Sequence, residues 1–321
     1  MTTSPPRLIT IGQTLATMRA TAAGPIARGC PLRVSVAGAE SNVAIGVRRL
    51  GIPATWIGHV GRDALGDMVL RELRAEDVIV QAVRDPDRPT ALLLAERRTA
   101  SQRRIWYYRR DAAGAGLCPD DVARADWSGV GLVHLTGITA CLGPGPAAAA
   151  AAAAARARAV GAEVSVDLNH RSALADEAAF ASAVRSLVTV ADVVFATVAE
   201  ASYVTGRPGA ERDAERLAGE LLTAGPSVVI IKLGAGGSLL AAAEGIARQP
   251  AFPTTALDPV GAGDAFAAGY LAARLRGADP AACLRQAASV AAVTVATEGD
   301  WEGLPSEEEL QMLTQGEDIV R

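Results

Sequence analysis

The sequence predicts an α/β protein in which a mostly parallel sheet is covered by helices on both faces. Short apolar runs alternate with segments of helical periodicity along the whole chain, the pattern of successive β-α units. Half of the 321 residues are hydrophobic and 21% are charged, which supplies a substantial core and excludes intrinsic disorder. Cys30, Cys118, Cys141 and Cys283 stand far apart with no C-x-x-C pair, which excludes a disulfide scaffold, a zinc ribbon and a thioredoxin motif. A chain of this length forms either two domains or one large one.

Strands are expected at Leu8–Ile11, Thr55–Gly58, Leu132–Thr136, Glu163–Asp167, Val193–Phe195 and Val228–Lys232, each a run suited to burial on both faces. Helices are expected at Ser41–Leu50, Ala64–Ala75, Pro146–Val160, Ala175–Thr189, Ala199–Thr205, Glu211–Ala224, Asp264–Leu275, Pro280–Ala296 and Pro305–Thr314. Gly51 and Gly161 follow two of them and suit a left-handed helix end. The polyalanine Ala147–Ala155 reads as a strong surface helix. Two segments break the rhythm, Thr14–Ala37 and Thr90–Arg110. The second, RPTALLLAERRTASQRRIWYYRR, is rich in β-formers and has no helical stripe. Both read as strands of a small flap. A few-stranded flap has little core and open edges, so it should lie over the main sheet and pair with a second subunit in a homodimer or higher homo-oligomer.

The formal net charge of −4 gives no field that would gather polyanions, so nucleic acid is not an expected partner. The arginines and aromatics of Arg97–Arg110 read as flap strands with alternating faces. The N-terminal MTTSPPRLITIGQ lacks the features of a secretory signal, and no apolar stretch has the length of a membrane span. A cytoplasmic protein with no membrane partner is expected. Lys232 is the only lysine, and Asn42 and Asn169 are the only asparagines. A composition that has replaced almost every Lys and Asn keeps these three beside glycine-rich or strand-end segments. Lys232 follows Ile231 rather than glycine, so there is no Walker A loop, and neither G-x-G-x-x-G after the first strand nor H-E-x-x-H is present.

The segment ALDPVGAGDAFAAG at 256–269 carries the sharpest chemistry. Gly261 and Gly263 let the backbone turn tightly and bring N–H groups to a ligand where a helix offers its positive end. Asp264 would sit beside this anion hole as a proton acceptor; ordinary helix capping is the alternative. KLGAGGS at 232–238 either lines a nucleotide or makes a tight hairpin turn from Val228–Lys232 to Ser238–Ala243. VDLNHR at 166–171 places Asp167, Asn169 and Arg171 just past a strand end, where a guanidinium clamps phosphate and His170 is structural. AGAESNVA at 37–44 enters a helix with Ser41 as its N-cap, and Gly38 and Asn42 would present amides to substrate hydroxyls.

Taken together in this order, these segments resemble the ribokinase-like (PfkB) family of carbohydrate kinases over nearly the whole chain. AGAESNVAIGVRRLG, KLGAGGS and DPVGAGDAFAAGYLAA carry the likeness. It implies a single kinase domain over 1–321 with a doubly wound α/β core and a β-lid formed by about 14–37 and 90–110. It also implies ATP and Mg²⁺, leaves a monovalent-cation requirement open, and implies in-line transfer of the γ-phosphate to a hydroxyl of a sugar or sugar acid. Within the family, WYYRRDAAGAGLCPDD, LVHLTGITACLG and VDLNHRS most resemble segments of the 2-keto-3-deoxygluconate kinases. By that likeness Asp264 is the base, Gly261, Ala262 and Gly263 form the anion hole, and Arg171 lies between substrate and phosphate. Gly38, Asn42, Tyr107 and Arg109 join Arg171 and Asp264 around the substrate. Lys232, Gly234 and Gly237 join Gly261 and Gly263 around the nucleotide, and Glu200 and Asp258 reach the metal through water. Fructokinase, ribokinase and nucleoside kinase activities are the alternatives within the family. A non-catalytic binding protein and a nicotinamide-dependent oxidoreductase are the alternatives outside it. Three positions depart from the family pattern: Gln13 where Gly-Glu is common, Leu93 where a lid tyrosine aligns, and Thr197 where N-x-x-E begins, which leaves only Glu200.

Overall fold

The computed structural model describes residues 6–99 and 102–315. Its strands in chain order are β1 (Arg7–Ile11), β2 (Leu15–Ala23), β3 (Leu32–Ala37), β4 (Ala54–Gly61), β5 (Ile79–Asp85), β6 (Leu92–Arg97), β7 (Arg103–Tyr108), β8 (Val130–Thr136), β9 (Glu163–Asp167), β10 (Val193–Thr197), β11 (Val228–Lys232), β12 (Ser238–Ala242) and β13 (Gly245–Gln249). One nine-stranded sheet runs in the order β13-β12-β11-β10-β9-β8-β1-β4-β5. It is parallel from β5 to β11, and two antiparallel pairings add β12 and β13 at one edge. From β1 the chain winds one way to β4 and β5 and the other way from β8 to β11. The crevice for a ligand therefore lies at the carboxyl ends of β1 and β8, where the order reverses.

The helices are α1 (Ala39–Arg49), α2 (Ala64–Ala75), α3 (Pro119–Arg124), α4 (Gly137–Cys141), α5 (Pro144–Ala159), α6 (Glu177–Val190), α7 (Val198–Thr205), α8 (Ala214–Leu222), α9 (Ala262–Leu275), α10 (Pro280–Val295) and α11 (Glu307–Gln315). Alternation along the central strands feeds two cores, one on each face. Ile9, Ile11, Val133, Leu135, Val164 and Val166 pack with α5, α6 and α8, whereas Leu8, Trp56, Leu132, Phe195 and Ile230 pack with α1, α9 and α10. Each such side chain contributes about 1.5–3 kcal/mol by leaving water.

Several elements differ from expectation. β5 and β13 have few buried residues, so neither shows the apolar run that marks a central strand. The polyalanine is a surface helix with one buried face: Ala148, Ala151 and Ala155 are exposed, whereas Ala149, Ala150, Ala153, Ala154 and Ala157 are buried at helical spacing, and their small volume lets α5 approach the sheet closely. The N-cap of α1 is Gly38 rather than Ser41, whose hydroxyl instead donates to the Gly38 carbonyl at 3.0 Å. KLGAGGS turns the antiparallel β11–β12 pair through a single 3₁₀ turn at Gly234–Gly236.

The remaining strands form a four-stranded sheet in the order β3-β2-β6-β7. Its register puts Leu15, Arg19, Ala37, Leu93, Ala95, Ile105 and Tyr107 on one face, toward the carboxyl ends of the main sheet. The loop before α11 ties this small sheet down. Asp300 pairs with Arg19 at 2.7 Å, Glu302 accepts from the Ser35 hydroxyl at 2.8 Å, and the Trp301 indole donates to the Val36 carbonyl at 2.9 Å.

Candidate active site

Asp264 lies in the first turn of α9 and is 7% exposed. The turn before it demands glycine: Gly261 has φ 78°, and a Cβ there would come within 2.0 Å of the Asp300 carbonyl oxygen. This tight approach brings the helix N-terminus to the crevice. Among the described residues, the amides of Gly261, Gly263 and Asp264 donate to no protein acceptor, and only the Ala262 amide is engaged, by the Pro259 carbonyl at 3.3 Å. These amides are free to donate to an anionic ligand, which the positive end of the helix dipole would favour.

Both asparagines of the chain converge on the Asp264 carboxylate. Asn42, from the first turns of α1, donates to Oδ2 at 2.8 Å, and Asn169, just past β9, donates to Oδ1 at 3.3 Å. Asn169 holds this position with φ 42°, in the left-handed region that asparagine tolerates better than most residues. Burial pushes the Asp264 carboxyl up to about 6, against the Arg171 guanidinium and the Asn42 hydrogen bond, which favour ionisation, while nearby Asp167 raises it further. A carboxylate so placed is ionised at neutral pH yet basic enough to accept a proton.

The single lysine joins the same group. Lys232, at the end of β11, pairs with both oxygens of Asp167 at 2.7 and 2.8 Å, and its Nζ would lie 3.5 Å from a Cβ on Gly263. Burial opposes its charge, but Asp167 and Glu200 outweigh burial and raise its pKa. Gly234 (φ 56°) and Gly237 (φ 90°) shape the turn after it. Glu200 caps α7 in a reciprocal box with Thr197, its Oε2 accepting from the Thr197 amide at 2.7 Å and its Oε1 from the His170 amide at 2.8 Å. Asp258 is buried and accepts from the Val260 amide at 3.2 Å. Among the described residues, no group of three or more His, Cys, Asp or Glu side chains is arranged to hold a metal ion.

A cavity of about 230 Å³ opens between the small sheet and this cluster, and Gly38, Asn42, Tyr107, Arg109, Arg171, Asp258, Gly261 and Asp264 all line it. Arg171 is exposed and makes no ion pair among the described residues. Arg109 is 8% exposed, and its guanidinium lies 5.6 Å from the centre of the Tyr107 ring. Burial lowers its pKa against the pull of Glu40.

Sequence reasoning had not singled out Glu40 as a site residue. It is fully buried beside the crevice, its Oε1 accepting from the hydroxyls of Thr136 and Thr139 at 2.5 and 2.6 Å, and burial pushes its carboxyl up. A side chain at Gly12 would overlap it at 2.2 Å, so the glycine after β1 makes its room. The place of Glu40 within AGAESN was the available signal. His134 and His170 stand outside this chemistry. Burial holds His134 down to about 3 next to Ser165, and His170 stacks with Phe180 and Tyr203.

A family model described as pfkB family carbohydrate kinase matches residues 6–307. Over 307 residues the chain is 32% identical to a 2-dehydro-3-deoxygluconokinase of Bacillus subtilis (strain 168), covering 94% of this chain and 93% of that protein. A PfkB protein from Polaromonas sp. JS666, 29% identical, superimposes with a TM-score of 0.85 over 95% of this chain and 99% of that one. A fructokinase from Xylella fastidiosa with bound ATP, 25% identical, superimposes with a TM-score of 0.85 over 98% and 99%. No helix among the described residues is long and apolar enough to cross a membrane.

Proposed function

Since the chain belongs to the pfkB family of carbohydrate kinases and is a phosphotransferase acting on an alcohol group, we propose that it phosphorylates 2-dehydro-3-deoxygluconate, a sugar acid, at the expense of ATP. The observation that carries the substrate class is Arg109. A guanidinium buried in the cavity without a hydrogen-bonded carboxylate is costly to keep, and a substrate carboxylate offsets that cost with a bidentate pair. Exposed Arg171, on the same cavity wall, supplies a second planar fork between substrate and phosphate.

In this reading the acceptor hydroxyl approaches Asp264, whose two oxygens are oriented by Asn42 and Asn169, and gives up its proton as the oxygen attacks the γ-phosphorus in line. The amides of Gly261, Gly263 and Asp264 receive the charge that develops on the transferred group, whereas the Ala262 amide, expected among them, is held by the Pro259 carbonyl. Gly38 and Asn42 hold sugar hydroxyls, and Tyr107 and Arg109 close over the sugar from the small sheet, which acts as the lid. Lys232, Gly234 and Gly237 line the nucleotide. ATP as donor is supported by the related fructokinase solved with bound ATP.

The donor set suits Mg²⁺ carried by the nucleotide phosphates rather than caged by protein. The carboxylates of Glu200 and Asp258 are separate and partly engaged by amides, which matches an ion that keeps most of its water. When bound, Mg²⁺ neutralises charge on the phosphates, and Glu200 and Asp258 would meet it through water. A homodimer through the small sheet also fits, because β7 is an open edge and Val34, Trp106 and Tyr108 expose an apolar face.

The test is product detection with Mg-ATP across 2-dehydro-3-deoxygluconate, fructose, ribose and nucleosides. Turnover of the sugar acid with the highest kcat/KM is expected. Exclusive turnover of fructose would sink the sugar-acid assignment.

A further inference from the structure

We infer that the ion pair between Arg19 and Asp300 couples the two halves of the active site: it ties the glycine turn ahead of Asp264 to the small sheet over the acceptor, which makes both of them positioning residues for phosphoryl transfer. This rests on the kinase reading and on the small sheet acting as the lid.

The turn side of the link is a backbone contact. The Asp300 carbonyl oxygen occupies the space that a Cβ at Gly261 would need, at 2.0 Å, and its carbon follows at 2.8 Å. Behind the same turn, the amides of Leu257 and Asp258 both donate to the Val295 carbonyl, at 2.7 and 3.2 Å. The turn that carries the amides of Gly261, Gly263 and Asp264 therefore rests on the segment 295–300. In a close-packed contact of this kind, a shift of Asp300 is passed on to the turn.

The lid side is made of side chains. Asp300 Oδ2 accepts from Arg19 Nη2 at 2.7 Å. Glu302 folds the loop back on itself, its Oε2 accepting from the amides of Asp300 and Trp301 at 2.9 and 3.2 Å while its Oε1 accepts from the Ser35 hydroxyl. Within the small sheet, Ser35, Thr17, Leu93 and Tyr107 stand in one row of paired residues, and Arg33, Arg19, Ala95 and Ile105 in the row two positions along. Tyr107, which meets the sugar in the proposed reaction, and Arg19 are thus carried by one hydrogen-bonded sheet and line one cavity.

Charge makes Arg19 the decisive member. It faces three carboxylates, Asp300, Glu302 and Asp258. Asp300 is 5% exposed, and its second oxygen is buried without a hydrogen-bond partner. A carboxylate in that setting follows its cation, because parting from it strands a charge out of water. A lid settled on the acceptor therefore fixes the turn that meets the phosphate, and by reciprocity a phosphate on the turn steadies the lid.

The test measures that coupling. Calorimetry gives Kd for the acceptor of highest kcat/KM, 2-dehydro-3-deoxygluconate in the proposed reading, with and without Mg²⁺ and the β,γ-imido analogue of ATP. The wild-type chain is compared with Asp300→Asn, Arg19→Met and the double variant. In the wild type the analogue should tighten acceptor binding about fivefold or more. Asp300→Asn keeps the shape and the backbone carbonyl but removes the charge. It should bring that ratio below about twofold and lower kcat about tenfold, with Kd for each ligand alone within about twofold. The double variant should match Asp300→Asn rather than add to it, and it carries the test if Arg19→Met, which strands a buried charge, fails to fold. A lowered Tm with an unchanged ratio would mark the pair as merely structural and overturn the proposal, as would a ratio near one in a wild-type chain that turns the acceptor over. Absence of binding and turnover of every acceptor by the wild-type chain would sink the lid reading and the proposal with it.

Discussion

Asp264 owes its chemistry to its surroundings more than to its identity. Burial pushes the carboxyl up to about 6, and two asparagines aim it. Since a raised carboxyl must be deprotonated to act as base, kcat/KM should climb about tenfold per pH unit up to about pH 6 and level off above it. A pH-rate profile checks this, and a limb centred near 4 would mean that burial does not govern the group. Asp264→Asn deletes the proton acceptor and leaves the amides, so turnover should fall about 10²–10⁴-fold with ATP affinity changed little. Calorimetric titration beside kinetics separates the two, and retained turnover contradicts the base assignment.

Among the elements, the Gly261 turn and α9 act as one unit. The carbonyl of Asp300 fills the space where a Cβ would stand, and the side chain of Asp300 pairs with Arg19 on the small sheet. Alanine at 261 is opposed by both the positive φ and this contact, and relief must come from moving the amides. Gly261→Ala should therefore lower kcat about 10²-fold and lower Tm, with fluorescence melts and initial rates as readouts. A variant with wild-type kcat would show that the turn does not position the donors. Thr197 illustrates a departure absorbed at this scale: the residue that breaks N-x-x-E caps α7 and shares its box with Glu200, so the carboxylate keeps its place.

Across the whole molecule, the large sheet supplies a rigid floor and the small sheet a wall, and the loop at 300–302 joins them. If the exposed face of the small sheet meets a second copy, Trp106→Glu with Tyr108→Glu should shift sedimentation from dimer to monomer without changing the far-ultraviolet spectrum. A wild-type chain that sediments as a monomer at all concentrations would remove this interface.

Much of the architecture could be read locally. The strands β9 and β11 and the helix α2 lie at the expected bounds, and β8 ends where expected but begins two residues earlier, because periodicity and end signals are carried by neighbouring residues. β5 and β13 escaped notice because edge strands bury too little to leave a pattern, and α3 and α4 because helices of five or six residues are too short to show a period. The glycine turn ahead of Asp264 was likewise evident, since positive φ is a property of one residue. The sole lysine and the two asparagines stood out by composition, but that they share one site required folding.

By itself the sequence determined the alternating β-α layout and the glycine turn ahead of Asp264, since backbone freedom and apolar spacing act over a few residues. Tertiary structure alone decided what surrounds that aspartate and which side chain holds Arg109. Asn42 reaches Asp264 across 222 residues, Asn169 across 95, and Gln13 reaches Arg109 across 96. Desolvation and hydrogen-bond partnership depend on three-dimensional neighbours, and no spacing along the chain encodes them.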